Sequence, residues 1–86
     1  LATLGWERDG DSLVKRVKRG SFRDALDFVN RVGGLADERD HHPDIDIRWN
    51  RVLLRLSTHS AGGITTMDLE LAREIDELEP RGGGGA

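Results

Sequence analysis

The three histidines of the sequence are the residues best suited to chemistry near neutral pH. They are His41, His42 and His59, and the first two are adjacent. An imidazole gives or takes a proton in the physiological range, so two of them held together can act as acid and base on one substrate. A single loop histidine usually has no function, so a site depends on whether the three converge.

The segment between the histidines predicts that they do converge. Residues 44–49 carry apolar side chains at odd positions and residues 52–58 at even positions, with the break where Asn50 meets Arg51. This change of phase predicts a hairpin, although one bulged strand would also produce it. Because the two ends of an antiparallel hairpin lie side by side, His59 should return close to the histidine pair.

Three carboxylates, those of Asp37, Asp40 and Asp44, flank the same corner. Neighbouring carboxylates favour the protonated, proton-donating form of an imidazole. A zinc ion held by three histidines and an aspartate is the alternative. It is disfavoured, because adjacent residues of an extended chain direct their side chains to opposite faces. The pattern therefore predicts a proton-transfer site and no metal.

Three further residues near the histidines have structural explanations beside functional ones. Trp49 ends the first arm of the predicted hairpin, where it would pack in the core or at a subunit interface, or form a stacking wall for a flat heterocycle. Asp68 stands three residues after Thr65, the place of the acidic residue in a helix-capping box. Thr58 directly precedes His59 and would lie on the rim of a pocket.

Two hairpins and two helices must position these residues. Asp9 followed by Gly10 is a turn signal between arms at 4–8 and 12–18. Ser21 and Thr65 each begin a helix. The apolar positions at helical spacing are Phe22, Ala25, Leu26, Val29, Val32 and Ala36, then Leu71, Ala72, Ile75 and Leu78. The order ββαββα predicts an α+β fold, a four-stranded antiparallel sheet with both helices packed on one face.

Composition excludes several classes of protein. The 86 residues are expected to form one domain over 1–80, with a flexible glycine-rich tail at 81–86. There is no cysteine for disulfides or thiolate metal sites, and the net charge of −3 argues against nucleic acid as a partner. No apolar run reaches the roughly 20 residues of a membrane helix, so a cytoplasmic chain without a membrane partner is expected. A domain this small favours self-association.

The spacing of the candidate residues resembles that of the pterin-4a-carbinolamine dehydratases, also described as dimerization cofactors of a hepatocyte nuclear transcription factor. The family pattern is an acidic residue, three positions, His-His-Pro, an aromatic residue about six positions on, a histidine ten later and a downstream aspartate. The matching residues are Asp37, His41, His42, Pro43, Trp49, His59 and Asp68. The resemblance extends over residues 4–78, nearly the whole chain.

The resemblance implies an activity: removal of water from 4a-hydroxytetrahydropterin to give quinonoid dihydropterin, in tetrahydrobiopterin recycling, with no metal or organic cofactor. It also implies a homodimer or homotetramer. His41 and His59 are expected to be the proton-transfer pair, with Asp37 orienting one of them. His42 is expected to hold the pterin and to share acid duty. The substrate-binding residues expected from the pattern are Trp49, Thr58, Asp68 and Asp40.

The chain departs from the family pattern at a few positions. Met67 stands where many members carry arginine, which bears on substrate affinity, and Asp37 is shorter than the frequent glutamate. Val17 and Arg19 stand where phenylalanine is favoured, which bears on packing and assembly. Two alternatives stay open, a non-catalytic protein that stabilises a partner and action on a related pterin in molybdenum-cofactor metabolism. No motif histidine is missing, which favours the dehydratase.

Overall fold

The chain folds into a four-stranded sheet and two helices in a computed structural model that describes residues 5–78. The elements are β1 (Trp6–Asp9), β2 (Ser12–Lys18), α1 (Phe22–Arg39), β3 (Asp44–Arg48), β4 (Arg51–Leu56) and α2 (Thr66–Leu78), with a 3-10 turn at His59–Ala61. The strands are antiparallel in the order β1-β2-β4-β3. The predicted α+β class and element order are confirmed. The tail predicted at 81–86 lies outside the described residues.

One face of the sheet is buried beneath both helices. Successive strand residues point to opposite faces, so alternate positions of β2 and β4 form the inner surface. Its buried residues are Leu13, Val17, Val52, Leu54 and Leu56, and the helices cover them with Ala25, Phe28, Val32, Leu71, Ala72 and Ile75. Phe22, predicted on the buried face of α1, is 46% exposed, and Phe28 packs in the core. No helix among residues 5–78 is both long and apolar enough to span a bilayer.

Helix α1 begins at the predicted cap. The Ser21 hydroxyl accepts the backbone N–H of Asp24 at 3.1 Å, which satisfies one of the free amides of the first turn. The helix continues through Gly33 and Gly34, although glycine has a low helix propensity, and ends at Arg39.

A left-handed residue at the end of α1 turns the chain toward β3. Asp40 has φ 52° and ψ 43°. Its backbone N–H donates to the carbonyl of Asp37 at 3.2 Å, and that of His41 donates to Ala36 at 3.0 Å. This is the Schellman pattern, in which glycine is the usual residue at the left-handed position. The turn fixes the backbone of His41 directly beyond the helix.

The first hairpin turn lies one residue beyond its predicted place. Asp9 pairs with Ser12, so the two turn residues are Gly10 and Asp11. Gly10 has φ 60°, a conformation that costs glycine little.

The second hairpin turn lies one residue before its predicted place, because Arg48 pairs with Arg51 across Trp49 and Asn50. Trp49 has a positive φ of 56°, although asparagine tolerates that conformation better than tryptophan does. Asn50 is held to the end of β2 instead: its Nδ2 donates to the carbonyl of Arg19 at 2.9 Å. Its own carbonyl accepts the Arg19 N–H at 2.8 Å. These two bonds fix the backbone of Asn50, so the strained conformation falls on Trp49.

Candidate active site

A buried carboxylate joins the first histidine to helix α2. Asp68 is fully buried, and its Oδ1 lies 2.5 Å from His41 Nε2. Its Oδ2 accepts the hydroxyl of Thr58 at 2.8 Å and the backbone N–H of Thr65 at 2.9 Å. An ionised carboxylate only accepts hydrogen bonds, so the imidazole must carry its hydrogen on Nε2. Asp68 therefore fixes both the orientation and the tautomer of His41.

The other ring nitrogen of His41 reaches the surface. The side chain keeps 10% of its accessible area. Nδ1 has no hydrogen-bond partner within residues 5–78. Every buried side-chain nitrogen and oxygen in this part of the chain does have a partner. Nδ1 must therefore be open to solvent. The arrangement presents a lone pair on Nδ1 to a substrate and keeps Nε2 inside.

Two threonines complete the support of the carboxylate. Thr58 Oγ1 and Thr65 Oγ1 lie 2.8 Å apart. The single hydroxyl hydrogen of Thr58 is given to Asp68, so Thr65 must donate to Thr58. The hydroxyl of Thr65 in turn accepts the N–H of Met67 at 3.2 Å. The hydrogen bond that each hydroxyl donates thus has a defined acceptor. The resulting network runs from Thr65 through Thr58 and Asp68 to His41.

The capping role predicted for Asp68 is present, but it involves only one of the two carboxylate oxygens, Oδ2. At the start of α2, Asp68 Oδ2 accepts the Thr65 amide, which is one bond of a capping box, while the Thr65 hydroxyl accepts the N–H of Met67 and not that of Asp68. Oδ1 takes no part in the cap and accepts from His41. No local sequence signal indicated this second role, because the contact depends on how α2 is placed against the end of α1.

Asp37 contacts His42. The sequence suggested instead that this carboxylate orients His41 or His59. His42 Nε2 lies 2.9 Å from Asp37 Oδ1, with the two side chains 57% and 82% exposed. A pair this exposed is held weakly, because water competes for both groups. His42 is consequently accessible to a substrate and less fixed than His41.

His59 begins the 3-10 turn, and β4 stops at Leu56, two residues before the end of the arm predicted at 52–58. Its side chain is exposed and makes no hydrogen bond to the part of the chain that is described. Its backbone is nevertheless anchored, because the preceding Thr58 exchanges backbone bonds with Gly63 at 2.8 and 3.3 Å. Thr58 and Asp68 thus link the backbone of His59 to the ring of His41.

Two predicted substrate-binding residues stand apart from this network. The side chain of Asp40 is exposed and makes no hydrogen bond within residues 5–78, so its defined role is the turn after α1. Trp49 is 68% exposed at the opposite end of β3 from the histidine pair. A five-residue strand spans about 17 Å. Within one chain, therefore, Trp49 is not brought to the histidines.

An ion-pair cluster holds the end of α1 against α2. The Arg39 guanidinium donates to Glu74 at 2.7 and 2.6 Å and to Glu70 at 3.1 Å. The hydrogen bond from Arg39 lowers the pKa of Glu74, and the Glu74 carboxylate raises the pKa of Arg39. Since Arg39 is two residues before His41, this cluster supports the same contact between elements as the His41–Asp68 bond. Residues 5–78 contain no group of three or more histidine, aspartate or glutamate side chains placed to hold a metal ion.

Comparison with known proteins gives consistent matches over the whole described region. The family model described as pterin 4 alpha carbinolamine dehydratase matches residues 1–78. A protein of Thermomicrobium roseum named "Putative pterin-4-alpha-carbinolamine dehydratase" is 60% identical over 74 residues, 86% of this chain and 80% of that protein. A protein of the same name from Mycobacterium sp. (strain KMS) is 53% identical over 77 residues, 90% of this chain and 82% of that protein.

Two solved structures share the fold. The crystal structure of a transcriptional coactivator/pterin dehydratase from Brucella melitensis superposes with a TM-score of 0.85 and 30% identity, over 90% of this chain and 84% of that one. A pterin dehydratase-like protein identified as a RuBisCO assembly factor in the alpha-carboxysome has a TM-score of 0.69 and 23% identity, over 85% and 84%. The second likeness concerns the fold alone.

Proposed function

Because the chain belongs to the pterin 4 alpha carbinolamine dehydratase family, as its motif spacing predicted, we propose that it removes water from a 4a-hydroxytetrahydropterin to give a quinonoid dihydropterin. The observation that carries the proposal is the His41–Asp68 pair, with Nε2 held at 2.5 Å and Nδ1 open to solvent. A buried carboxylate behind an imidazole holds it in one tautomer and stabilises the imidazolium that forms when the outer nitrogen takes a proton.

The reaction needs one acid and one base. The bond between C4a and the hydroxyl oxygen breaks, and an acid donates a proton to that oxygen so that water leaves. The adjacent ring nitrogen forms a double bond to C4a and loses its proton to a base. The enzyme gives one proton and takes one, so the acid ends deprotonated and the base ends protonated. Proton exchange with solvent restores both groups. Positioned imidazoles suit both tasks.

The geometry suggests a division of these tasks. His41 is the base, because its Nδ1 lone pair is the one that a buried partner orients. His59 is the acid, being anchored beside Thr58 with its ring exposed. His42, supported by Asp37, holds the pterin and shares acid duty. Thr58 acts through Asp68, since its hydroxyl hydrogen is donated to that carboxylate while its oxygen accepts from Thr65.

Asp40 can reach a substrate within one chain, whereas Trp49 can do so only from a second copy. The carboxylate of Asp40 projects one residue before His41 and is available to a polar group of the substrate. Trp49 would contact a substrate at the histidines only if it came from a second copy of the chain. We propose a homodimer or homotetramer, supported by the edge strands β1 and β3, each of which pairs on one side only within residues 5–78. Light scattering that gave only a monomer would contradict this.

The test is the dehydration of freshly generated 4a-hydroxytetrahydrobiopterin against an enzyme-free blank, with and without a chelator. We expect acceleration by the wild-type chain, a loss of about 100-fold or more in His41→Ala and in His59→Ala, and a smaller loss in His42→Ala. Arg73→Gln, which alters an exposed side chain of α2, serves as the control. No acceleration over the blank by the folded wild-type chain would reject the dehydratase. The physiological role proposed is tetrahydrobiopterin recycling, and a chain active only on another pterin would reject that part.

A further inference from the structure

Three cations stand in one row across the outer face of the sheet, the face turned away from the helices. Lys18 of β2 is the direct cross-strand partner of Arg51 of β4, and Arg51 is also the partner of Arg48 of β3. Adjacent strands are about 5 Å apart, so the cation row of Lys18, Arg51 and Arg48 spans about 10 Å. It lies at the Trp49 end of the sheet, opposite to the histidines.

The cation row is poorly compensated within the chain. Like charges directly opposite each other destabilise a sheet. Arg48 Nε lies 3.3 Å from Asp46 Oδ1, an exposed and long contact. Lys18 and Arg51 make no ion pair and no side-chain hydrogen bond to any residue in 5–78. Although the net charge of the chain is −3, Asp46 is the only carboxylate of residues 5–78 that lines the cleft beside these cations.

The cation row borders a cleft of about 610 Å³. Its lining also includes Arg16, Asp46 and the apolar side chain of Leu53. Arg16 has an exposed partner, Glu7, at 3.3 Å, and that carboxylate does not line the cleft. Four cations thus face one carboxylate over an apolar floor. A volume of this size is within the range of small-molecule sites.

We propose that this cleft binds a small organic phosphate through the cation row. A phosphate group carries close to two negative charges at neutral pH and presents three acceptor oxygens. Guanidinium forks match those oxygens in pairs. Three cations about 5 Å apart fit a diphosphate or a clustered phosphate ester better than a single carboxylate, which would neutralise only one of them. The apolar floor at Leu53 receives the organic part. This site is separate from the histidine corner and does not depend on the dehydratase activity.

The test is a calorimetric titration of the full chain with inorganic diphosphate, at low salt and again at 0.3 M NaCl. The test variant is the double substitution Lys18→Gln and Arg51→Gln. The matched control is Arg23→Gln and Arg31→Gln, which removes two exposed cations of α1 and gives the same net charge. The test variant loses a like-charge contact, so its Tm is expected to be no lower than that of the wild type.

We expect saturable one-to-one binding of diphosphate, at least tenfold weaker in the test variant and changed less than twofold in the control. A short single-stranded oligonucleotide is the second probe. It distinguishes a site for a small phosphate compound from a site for a nucleic-acid backbone. Binding of the oligonucleotide without binding of diphosphate would overturn the proposal, as would equal weakening in both variants. A change of oligomeric state in the test variant, with no diphosphate bound by the wild type, would also overturn it and assign the face to contact between copies.

Discussion

The imidazole of His41 and the carboxylate of Asp68 meet at 2.5 Å although the residues are 27 positions apart in the sequence. His41 follows the end of α1, and Asp68 lies in the first turn of α2. Their contact needs the two helices to be correctly placed on the sheet. The position of the proposed base is therefore a property of the complete fold.

Asp68→Asn is expected to reduce both activity and stability. The amide retains one acceptor oxygen and introduces an N–H that faces the donors His41 or Thr58, so one buried bond is lost. We expect kcat/KM to fall about 100-fold or more and the free energy of unfolding to fall by about 1–3 kcal/mol. Urea unfolding and steady-state kinetics measure both quantities. A variant that lost stability but kept kcat would assign Asp68 to the cap of α2 alone.

Asp37→Asn is expected to have a much smaller effect. The pair between Asp37 and His42 is exposed on both sides, and exposed pairs contribute about 0–1 kcal/mol. We expect kcat/KM to fall by at most about fivefold, with an unchanged unfolding midpoint. The same assay applied to Asp37→Asn and Asp68→Asn compares the two carboxylates directly. Equal losses would place Asp37 in the catalytic machinery.

Asp40→Gly is expected to stabilise the chain. The left-handed conformation of Asp40 costs a non-glycine residue roughly 1 kcal/mol, and glycine adopts it freely. Glycine also raises the entropy of the unfolded chain, which offsets about half of this gain, so we expect the free energy of unfolding to rise by about 0.5 kcal/mol in urea titrations. Asp40→Val, which tolerates this conformation poorly, should lower it. If Asp40 also contacts the substrate as proposed, KM rises in the stabilised glycine variant; an unchanged KM limits Asp40 to the turn.

Arg39→Gln is expected to destabilise the chain in a pH-dependent manner. Its hydrogen bond lowers the pKa of Glu74, so Glu74 contributes stability above its unfolded pKa, and this contribution is lost as the pH falls through the folded value. The raised pKa of Arg39 adds no change in this range, because the guanidinium stays charged.

The difference in unfolding midpoint between wild type and Arg39→Gln should therefore be largest near pH 7 and should shrink below about pH 4. Arg73→Gln, on the same helix, is the control and should show little difference at either pH. A difference of equal size at pH 7 and pH 3 would mean that Arg39 acts through packing of its stem and not through its charge.

Local signals in the sequence predicted most of the fold. The Ser21 cap, the capping box at Thr65 and the change of hydrophobic phase at the second hairpin each depend on residues within a few positions of one another. The structure contains the Ser21 cap, the bond from the Thr65 amide to Asp68 and the second hairpin, with each hairpin turn displaced by one residue. The displacement at Trp49 comes from the bonds between Asn50 and Arg19, which join separate elements and leave no local pattern.

The candidate site was predicted less completely, for the same reason. The histidines were identified by type and spacing, but the carboxylate expected to orient His41 or His59 was Asp37, which is near His41 in sequence, and not Asp68. Helical phase decides this: the bonds made by the end of α1 bring Asp37 to His42, while α2 delivers Asp68 beneath His41. The role of Asp68 needed the relative placement of two helices, which periodicity does not determine.

Gly33 and Gly34 within α1 have a consequence for motion. No heavy atom outside the helix's own neighbouring backbone lies within 4 Å of where their Cβ atoms would be, so close packing does not require these glycines. Each costs a helix about 1 kcal/mol relative to alanine, so the second half of α1 should open at lower free energy than the first. His41 follows that half directly and would be released with it. Amide hydrogen exchange should therefore be faster over residues 33–39 than over 25–32, and Gly34→Ala should slow the exchange of residues 33–39. The rigidity of the proposed base could then be changed by a substitution within the helix, away from the histidine itself.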